Sequence, residues 1–454
     1  MLYTILRPLT YIFYRIYYKI GIKGIEKTPF GKPVILAPNH NNGFIDPVVL
    51  ATILPNKIRG FARGDIFKGR FRIWALNSMN ISPMYRMQEG YSEVKKNDKA
   101  FEECRTLLSG NGTLLLFPEA ICIQKKRLQP LKKGLARIVF QTEELFDFKK
   151  NVWIVPIGLN YTNGKKFRSK LFVNFGDPIS IIKYEELYKQ DKVRAINDFT
   201  KELEKEMTKL IITIKNKEND ELVENINEIY LFQWMKDLNF DVENIEKQYY
   251  VSKEIAEMIN YHDSANPYLI ESLKKKIIPY CDVLKKLNLR DHLLCPEIIN
   301  KMTMGKFLID FLIIWFGMPV YLIGLAMNYP PYYISKKFTD KKVKKVEFYA
   351  SFYANLSMLL WLLYFGIQLL IVALVFRNWI FLGIYALIVP ATGLYVLKFY
   401  SAMKKIFGNW RLMRLVRKER DTIEQLVNER SQIITEIELA RKEYQSSMKS
   451  NFVL

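Results

Sequence analysis

Two adjoining stretches without a single Asp, Glu, Lys or Arg, 348–376 and 378–397, constrain this chain more than any other feature. Each is long enough, as a helix, to cross a hydrocarbon core of about 30 Å. Arg377 and Asn378 stand at their junction, so the pair reads as a tight helical hairpin. SKKFTDKKVKK precedes it and KFYSAMKK follows it. Positive charge marks cytoplasmic flanks, which puts both ends of the hairpin inside. A third apolar stretch, 307–327, holds one charge, Asp310, and one proline, Pro319. A full span there would place the basic, leaderless region before it opposite the SKKFTDKKVKK flank. The stretch is therefore expected to be re-entrant or in-plane, with Pro319 at its bend, and a true third span is the alternative. The protein is expected to be a multi-pass membrane protein whose preceding domain is cytoplasmic.

Across 454 residues, 68 Lys and Arg outweigh 46 Asp and Glu, a net charge of +22. Such an excess points to a polyanion, either nucleic acid or the anionic face of a membrane. No nucleic-acid recognition motif accompanies it, so membrane lipid is the expected partner and nucleic acid is not. The mean hydropathy of −0.04 averages over segregated apolar and charged segments. Cys104, Cys122, Cys281 and Cys295 lack CxxC spacing, which argues against a disulfide framework or a metal site. Histidine occurs only as His40, His262 and His292. The last two, each beside an aspartate in a charged helical stretch, read as surface or packing residues.

Five segments follow. Residues 1–24 mix aromatic side chains with Arg7, Arg15 and Lys19, as in a helix lying among lipid headgroups. From 25 to 185, PVILAP, GTLLLFPE, NVWIVPIGLNY and KLFVNFG read as buried strands, and 95–109 as a helix stopped at Gly110. Strands alternating with helices imply an α/β domain with a mostly parallel sheet. Residues 186–304 read as a helical insert and 305–400 as the membrane region. Residues 401–454 form a charged cytoplasmic helix. There Leu412, Val416, Ile423, Leu426, Ile433 and Ile437 follow a heptad that Glu419 and Arg430 interrupt, a weak self-association signal.

The chemistry concentrates in PVILAPNHNNGFIDPVVL. A buried strand runs out through Pro38 into a polar turn holding His40, with Asp46 six positions on. A histidine leaving a strand end acts as general base when a carboxylate orients its ring. The turn holds no Ser or Cys nucleophile, so such a base would activate a hydroxyl of the substrate. Arg86 follows another apolar run, and Phe117-Pro118-Glu119 precedes Lys125, Lys126, Arg127, Lys132 and Lys133. Cations beside a base suit an acceptor bearing both hydroxyl and phosphate.

Four ordered blocks, Asn39-His40…Asp46, Pro83-Met84-Tyr85-Arg86, Phe117-Pro118-Glu119 and Val155-Pro156-Ile157, resemble those of the glycerophospholipid acyltransferases over about residues 25–185. The resemblance implies a catalytic pair, His40 as base and Asp46 orienting it. It places Arg86 on the acceptor phosphate, Glu119 in the acceptor pocket, Pro156 on the acyl side, and Lys126, Arg127 and Lys133 among the substrate contacts. It implies no cofactor and no metal, with acyl-CoA or acyl carrier protein as the acyl-donating substrate. The acceptor expected from the resemblance is glycerol-3-phosphate, or alternatively lysophosphatidate or another lysophospholipid. Two departures stand out. Five residues rather than the usual four separate His40 from Asp46, and FPEAICIQKK replaces FPEG followed by Ser or Thr and a basic residue. The glycine position is Ala120 and the arginine position Cys122, which leaves room for a non-catalytic lipid-binding scaffold. Backbone N–H groups of the His40 turn are the expected stabilisers of an oxyanion.

Overall fold

The computed structural model describes residues 2–85, 97–295 and 304–447. The chain up to Thr213, together with Glu243–Tyr249 and Val343–Ala354, forms one compact unit. Its centre is an eight-stranded sheet: β1 (Lys19–Lys23), β2 (Val34–Pro38), β3 (Ile58–Arg63), β4 (Ile81–Met84), β5 (Thr113–Leu115), β6 (Trp153–Tyr161), β7 (Lys170–Phe175) and β8 (Ile179–Ser180). The order is β1-β7-β6-β2-β5-β3-β4, with β8 also on β6. Strands β6, β2, β5, β3 and β4 are mutually parallel, while β7 and β8 run antiparallel to β6. The expected α/β domain with a mostly parallel sheet is what forms. All five residues of β2 are buried, as an apolar run covered on both faces requires.

Helices follow the strands: α1 (Leu2–Tyr17), α2 (Ile45–Ile53), α3 (Arg70–Ser78), α4 (Asn97–Ser109), α5 (Gly134–Leu145), α6 (Glu185–Gln190) and α7 (Lys192–Lys209). The core joins Ile35, Ala37, Leu114 and Ile154 of the sheet to Leu108 of α4, Phe140 of α5 and Phe199 of α7. Ala195, Phe199, Leu203 and Met207 recur every four residues along one face of α7 and are all buried. The domain therefore runs beyond 185, the boundary expected from sequence.

The expected helix over 1–24 also differs. It ends at Tyr17, and Lys19–Lys23 pairs in parallel with β7 at the sheet edge. Tyr14, Tyr17 and Tyr18 are buried in the protein, whereas Leu9, Tyr11 and Ile12 of α1 are exposed.

The second unit takes in the described residues of Ile214–Val242, Tyr250–Lys342 and Asn355–Leu454. It holds α8 (Asp220–Asp237), most of α9 (Ile245–Ala265) and α10 (Pro267–Leu287). Four further helices follow: α11 (Met304–Lys342), α12 (Val346–Phe376), α13 (Trp379–Lys418) and α14 (Arg420–Ser447). Among the described residues, three helices, α11 to α13, are long and apolar enough to cross a membrane. The bend expected at Pro319 is absent, since Pro319, Pro330 and Pro331 all lie inside the single helix α11. A proline costs one backbone hydrogen bond without ending a helix that neighbours hold in place. Here α13 packs along α11, and Asn328 Nδ2 donates to the carbonyls of Gly324 (3.0 Å) and Val389 (3.1 Å).

The apolar stripe of α14 is used inside the unit. Ile423, Leu426, Ile433 and Ile437 are buried, and so is Arg430, whose Nε donates to both Asp291 oxygens at 3.0 Å. His262 is a packing residue, 1% exposed, with Nε2 2.9 Å from the Ala440 carbonyl.

Candidate active site

Parallel strands present their C-terminal ends on one edge of a sheet, where the following loops converge. Here β2 lies between β5 and β6, so the turn after Pro38, the loop after Leu115 and the end of β6 meet. The Asn39 side chain extends β2 past its last residue. Its Nδ2 donates to the Leu159 carbonyl (3.2 Å) and its Oδ1 accepts the Leu159 N–H (2.6 Å). His40 is thereby held at the strand end.

Asp46 is the second residue of α2 and fully buried. The longer spacing is absorbed by a turn that wraps its carboxylate. Oδ2 accepts the N–H groups of Asn41 (2.8 Å) and Asn42 (2.7 Å) and lies 2.9 Å from His40 Nδ1. Oδ1 accepts the Tyr161 hydroxyl at 2.6 Å. Burial first, and the Asp46 charge second, raise the Tyr161 phenol well above its ordinary pKa, so it stays a donor. Pairing with the carboxylate puts the imidazole proton on Nδ1 and leaves the Nε2 lone pair for a substrate. The ring of Phe117 stacks on the imidazole, centroids 4.0 Å apart. Tyr161 and the stacking of Phe117 escaped the sequence reading, because neither residue stands near His40 or Asp46 in the chain.

Glu119 is 2% exposed, and both its oxygens are occupied. Oε1 accepts the His40 N–H (3.0 Å) and Oε2 the Gln129 N–H (3.2 Å). It braces the histidine turn against the 119–129 loop, where sequence placed it in an acceptor pocket. Burial pushes its pKa up to about 7, against the pull of those two N–H donors. The loop is closed further by Ile123 N–H to the His40 carbonyl (3.1 Å) and Lys132 N–H to the Pro118 carbonyl (2.8 Å). Ala120 adopts φ +55°, the left-handed conformation that explains why a glycine would sit comfortably there. Cys122 is no thiolate, since burial pushes its thiol far up.

Along this loop Lys125, Lys132 and Lys133 are exposed, and Lys126 and Arg127 half-buried. Pro156 is buried in β6 opposite Ala37, against Gly176. Arg86 lies outside the described residues, two positions beyond the end of β4. Among the described residues no group of His, Cys, Asp and Glu is arranged to hold a metal.

The oxyanion expectation changes. From His40 to Asp46 every backbone N–H is already committed: to Glu119, to Asp46 twice, to Glu347, to Ser351 twice and to Asn42. Stabilisation of a developing oxyanion has to come from outside this turn.

A buried carboxylate lies behind an imidazole at the C-terminal edge of a parallel sheet, a geometry that suits a general base on an α/β scaffold. Residues 19–160, about a third of the chain, match the family model described as Acyltransferase. Over this domain the chain is similar to acyltransferases, glycerol-3-phosphate O-acyltransferases among them. It is 27% identical over 242 residues to glycerol-3-phosphate O-acyltransferase 1 of Saccharomyces cerevisiae, covering 52% of this chain and 31% of that protein. With glycerol-3-phosphate O-acyltransferase 2 of the same yeast it shares 24% over 260 residues, 56% of this chain and 34% of the relative. The chain thus spans about a third of the length of these curated relatives. A crystal structure of the 1-acyl-sn-glycerophosphate acyltransferase from Thermotoga maritima aligns at 16% identity and a TM-score of 0.31, over 44% of this chain and 79% of that one. At that score the likeness bears on neither fold nor function.

Proposed function

We propose that the protein is a membrane-bound acyltransferase that moves a fatty acyl group from acyl-CoA or acyl carrier protein to a hydroxyl of glycerol-3-phosphate. The observation that carries this reading is the His40–Asp46 pair, with Nε2 left to the substrate and a strongly cationic loop beside it. His40 Nε2 takes the proton of the acceptor hydroxyl as its oxygen attacks the thioester carbonyl. The tetrahedral intermediate then expels the thiolate, to which the imidazolium returns the proton. Lys125 and Lys133, with Arg86 by resemblance, meet the acceptor phosphate. Ala120 preserves the left-handed turn of the FPEG block, which supports a working site over a scaffold that has lost catalysis.

Helix α11 is unbroken through Pro319 and packs along α13, which supports a reading in which the two apolar helices run side by side in the membrane. The basic flanks before α12 and within the C-terminal part of α13 support a hairpin with both ends on one side of the membrane. Basic residues on both flanks make that side cytoplasmic.

Full-length protein in detergent, given labelled glycerol-3-phosphate or lysophosphatidate with each acyl donor in turn, tests the activity. Acylated glycerol-3-phosphate is the expected product, and His40→Ala should lower turnover by about 10²- to 10⁴-fold. Acylation of lysophosphatidate alone would reassign the acceptor, and a folded, active His40→Ala protein would remove the base.

A further inference from the structure

The catalytic turn is completed by residues some 300 positions away. Helix α2 has Phe44 at its N-cap, a residue with no side-chain acceptor to cap it. Its first free N–H groups still need partners, as at any helix start. The Phe44 and Ile45 N–H groups donate to Ser351 Oγ at 3.1 and 3.3 Å, and the preceding Gly43 N–H donates to the Glu347 carbonyl at 3.0 Å. Position 47 is proline and brings no N–H, so with Asp46 N–H bound to the Asn42 carbonyl the helix start is fully satisfied.

The packing around this cap is close. Ser351 and its neighbour Ala350 are fully buried. A Cβ on Gly43 would sit 2.6 Å from the Phe348 ring, so only glycine admits that ring. Phe44 lies 6.1 Å from Phe348 and 6.4 Å from Phe352, between ring centroids. Residues 347–352 are the opening turns of α12, the apolar helix that runs on to Phe376.

Asp46 follows Ile45 directly, so whatever seats the first turn of α2 seats the carboxylate that faces His40. We propose that Ser351 is a positioning residue for acyl transfer, its hydroxyl capping α2 from the opening turns of a membrane-type helix and so setting the His40–Asp46 geometry. This rests on His40 and Asp46 being the catalytic pair. Ser351 itself touches no substrate. Its loss should therefore appear in kcat and leave acceptor binding alone.

Full-length Ser351→Ala and Ser351→Thr proteins in detergent, assayed beside wild type and His40→Ala, provide the test. Ser351→Ala should lower kcat about tenfold, with KM for the acceptor within about twofold of wild type, and the hydroxyl of Ser351→Thr should recover most of it. A wild-type kcat in Ser351→Ala, or a loss that threonine does not recover, would overturn the proposal. If Ser351→Ala does not accumulate as folded protein, Gly43→Ala decides. Its methyl forces Phe348 away from the turn, so a similar fall in kcat is expected, and an unchanged kcat overturns the proposal. Retained activity in His40→Ala would instead count against the catalytic pair. An inactive His40→Ala beside an unimpaired Ser351→Ala would reject the Ser351 role alone.

Discussion

Asp46 gathers more of the site than any other residue: two backbone N–H groups, the His40 ring and the Tyr161 hydroxyl converge on its two oxygens. Each donor left unpaired in a buried place costs about 1–3 kcal/mol, so the turn has one well-satisfied arrangement. Glu119 braces the same turn and has a pH signature. Its folded pKa, about 7, lies above the ordinary 4.5, so the folded protein keeps this proton to higher pH than the unfolded chain. The resulting stability is complete below about pH 4.5 and declines as pH rises to about 7, by up to about 3 kcal/mol. Unfolding midpoints measured from pH 5 to 8 should fall in wild type, and Glu119→Gln should lack this component of the slope. Ala120 makes a second residue-scale prediction. Its φ of +55° costs an L-residue about 1 kcal/mol, so Ala120→Gly should raise the unfolding midpoint or leave it unchanged, with acyl transfer intact. A clear fall in midpoint would mean that the methyl group packs more than the backbone strains. His40 and Asp46 were legible because a strand end, a polar turn and a helix start are adjacent in sequence. Tyr161 was not, because nothing local to NVWIVPIGLNY distinguishes an inward tyrosine that meets a carboxylate from one that fills the core.

At the scale of elements, the buried strands were legible as apolar runs and β1 was not. KIGIK sets Ile-Gly-Ile between two exposed lysines and leaves its apolar residues only half-buried, which is how an edge strand differs from a central one. The helix continuing through Pro319 was equally hidden, since its support comes from α13. Gly317 and Gly324 face that helix, and a Cβ on Gly324 would lie 2.8 Å from Val396 Cγ2 and 2.9 Å from the Thr392 carbonyl oxygen. Small residues let apolar helices approach closely enough for dispersion and interhelical hydrogen bonds to hold them. Gly324→Leu should therefore part α11 from α13 and lower stability in detergent by about 1–3 kcal/mol. Gly366, which has nothing within 4 Å, is the control, and Gly366→Leu should unfold like wild type. Equal midpoints for the two variants would rule out close packing at Gly324.

For the whole molecule, the C-terminal helix matters in a way its heptad did not announce. Its apolar stripe covers helices of its own unit, and Arg430, which interrupts the heptad, pairs with Asp291 beneath it. The Tyr280 hydroxyl donates to the same carboxylate at 2.7 Å. Removing one partner of a buried ion pair strands the other, at a cost of about 3–5 kcal/mol. Arg430→Met should destabilise the protein by that order in chemical unfolding, and adding Asp291→Leu should recover most of it. No recovery would mean that the pair acts through packing alone.

Sequence by itself determined the α/β class, the apolar helices, the His40–Asp46 pair and the basic loops, because each is written in residues that are neighbours along the chain. The tertiary structure alone decided that β1 joins the sheet and that α7 belongs to its core. It also decided that Glu119 serves the His40 backbone and that Ser351 caps α2. Those outcomes depend on which buried N–H meets which oxygen across tens to hundreds of residues, and periodicity and local spacing carry no record of that pairing.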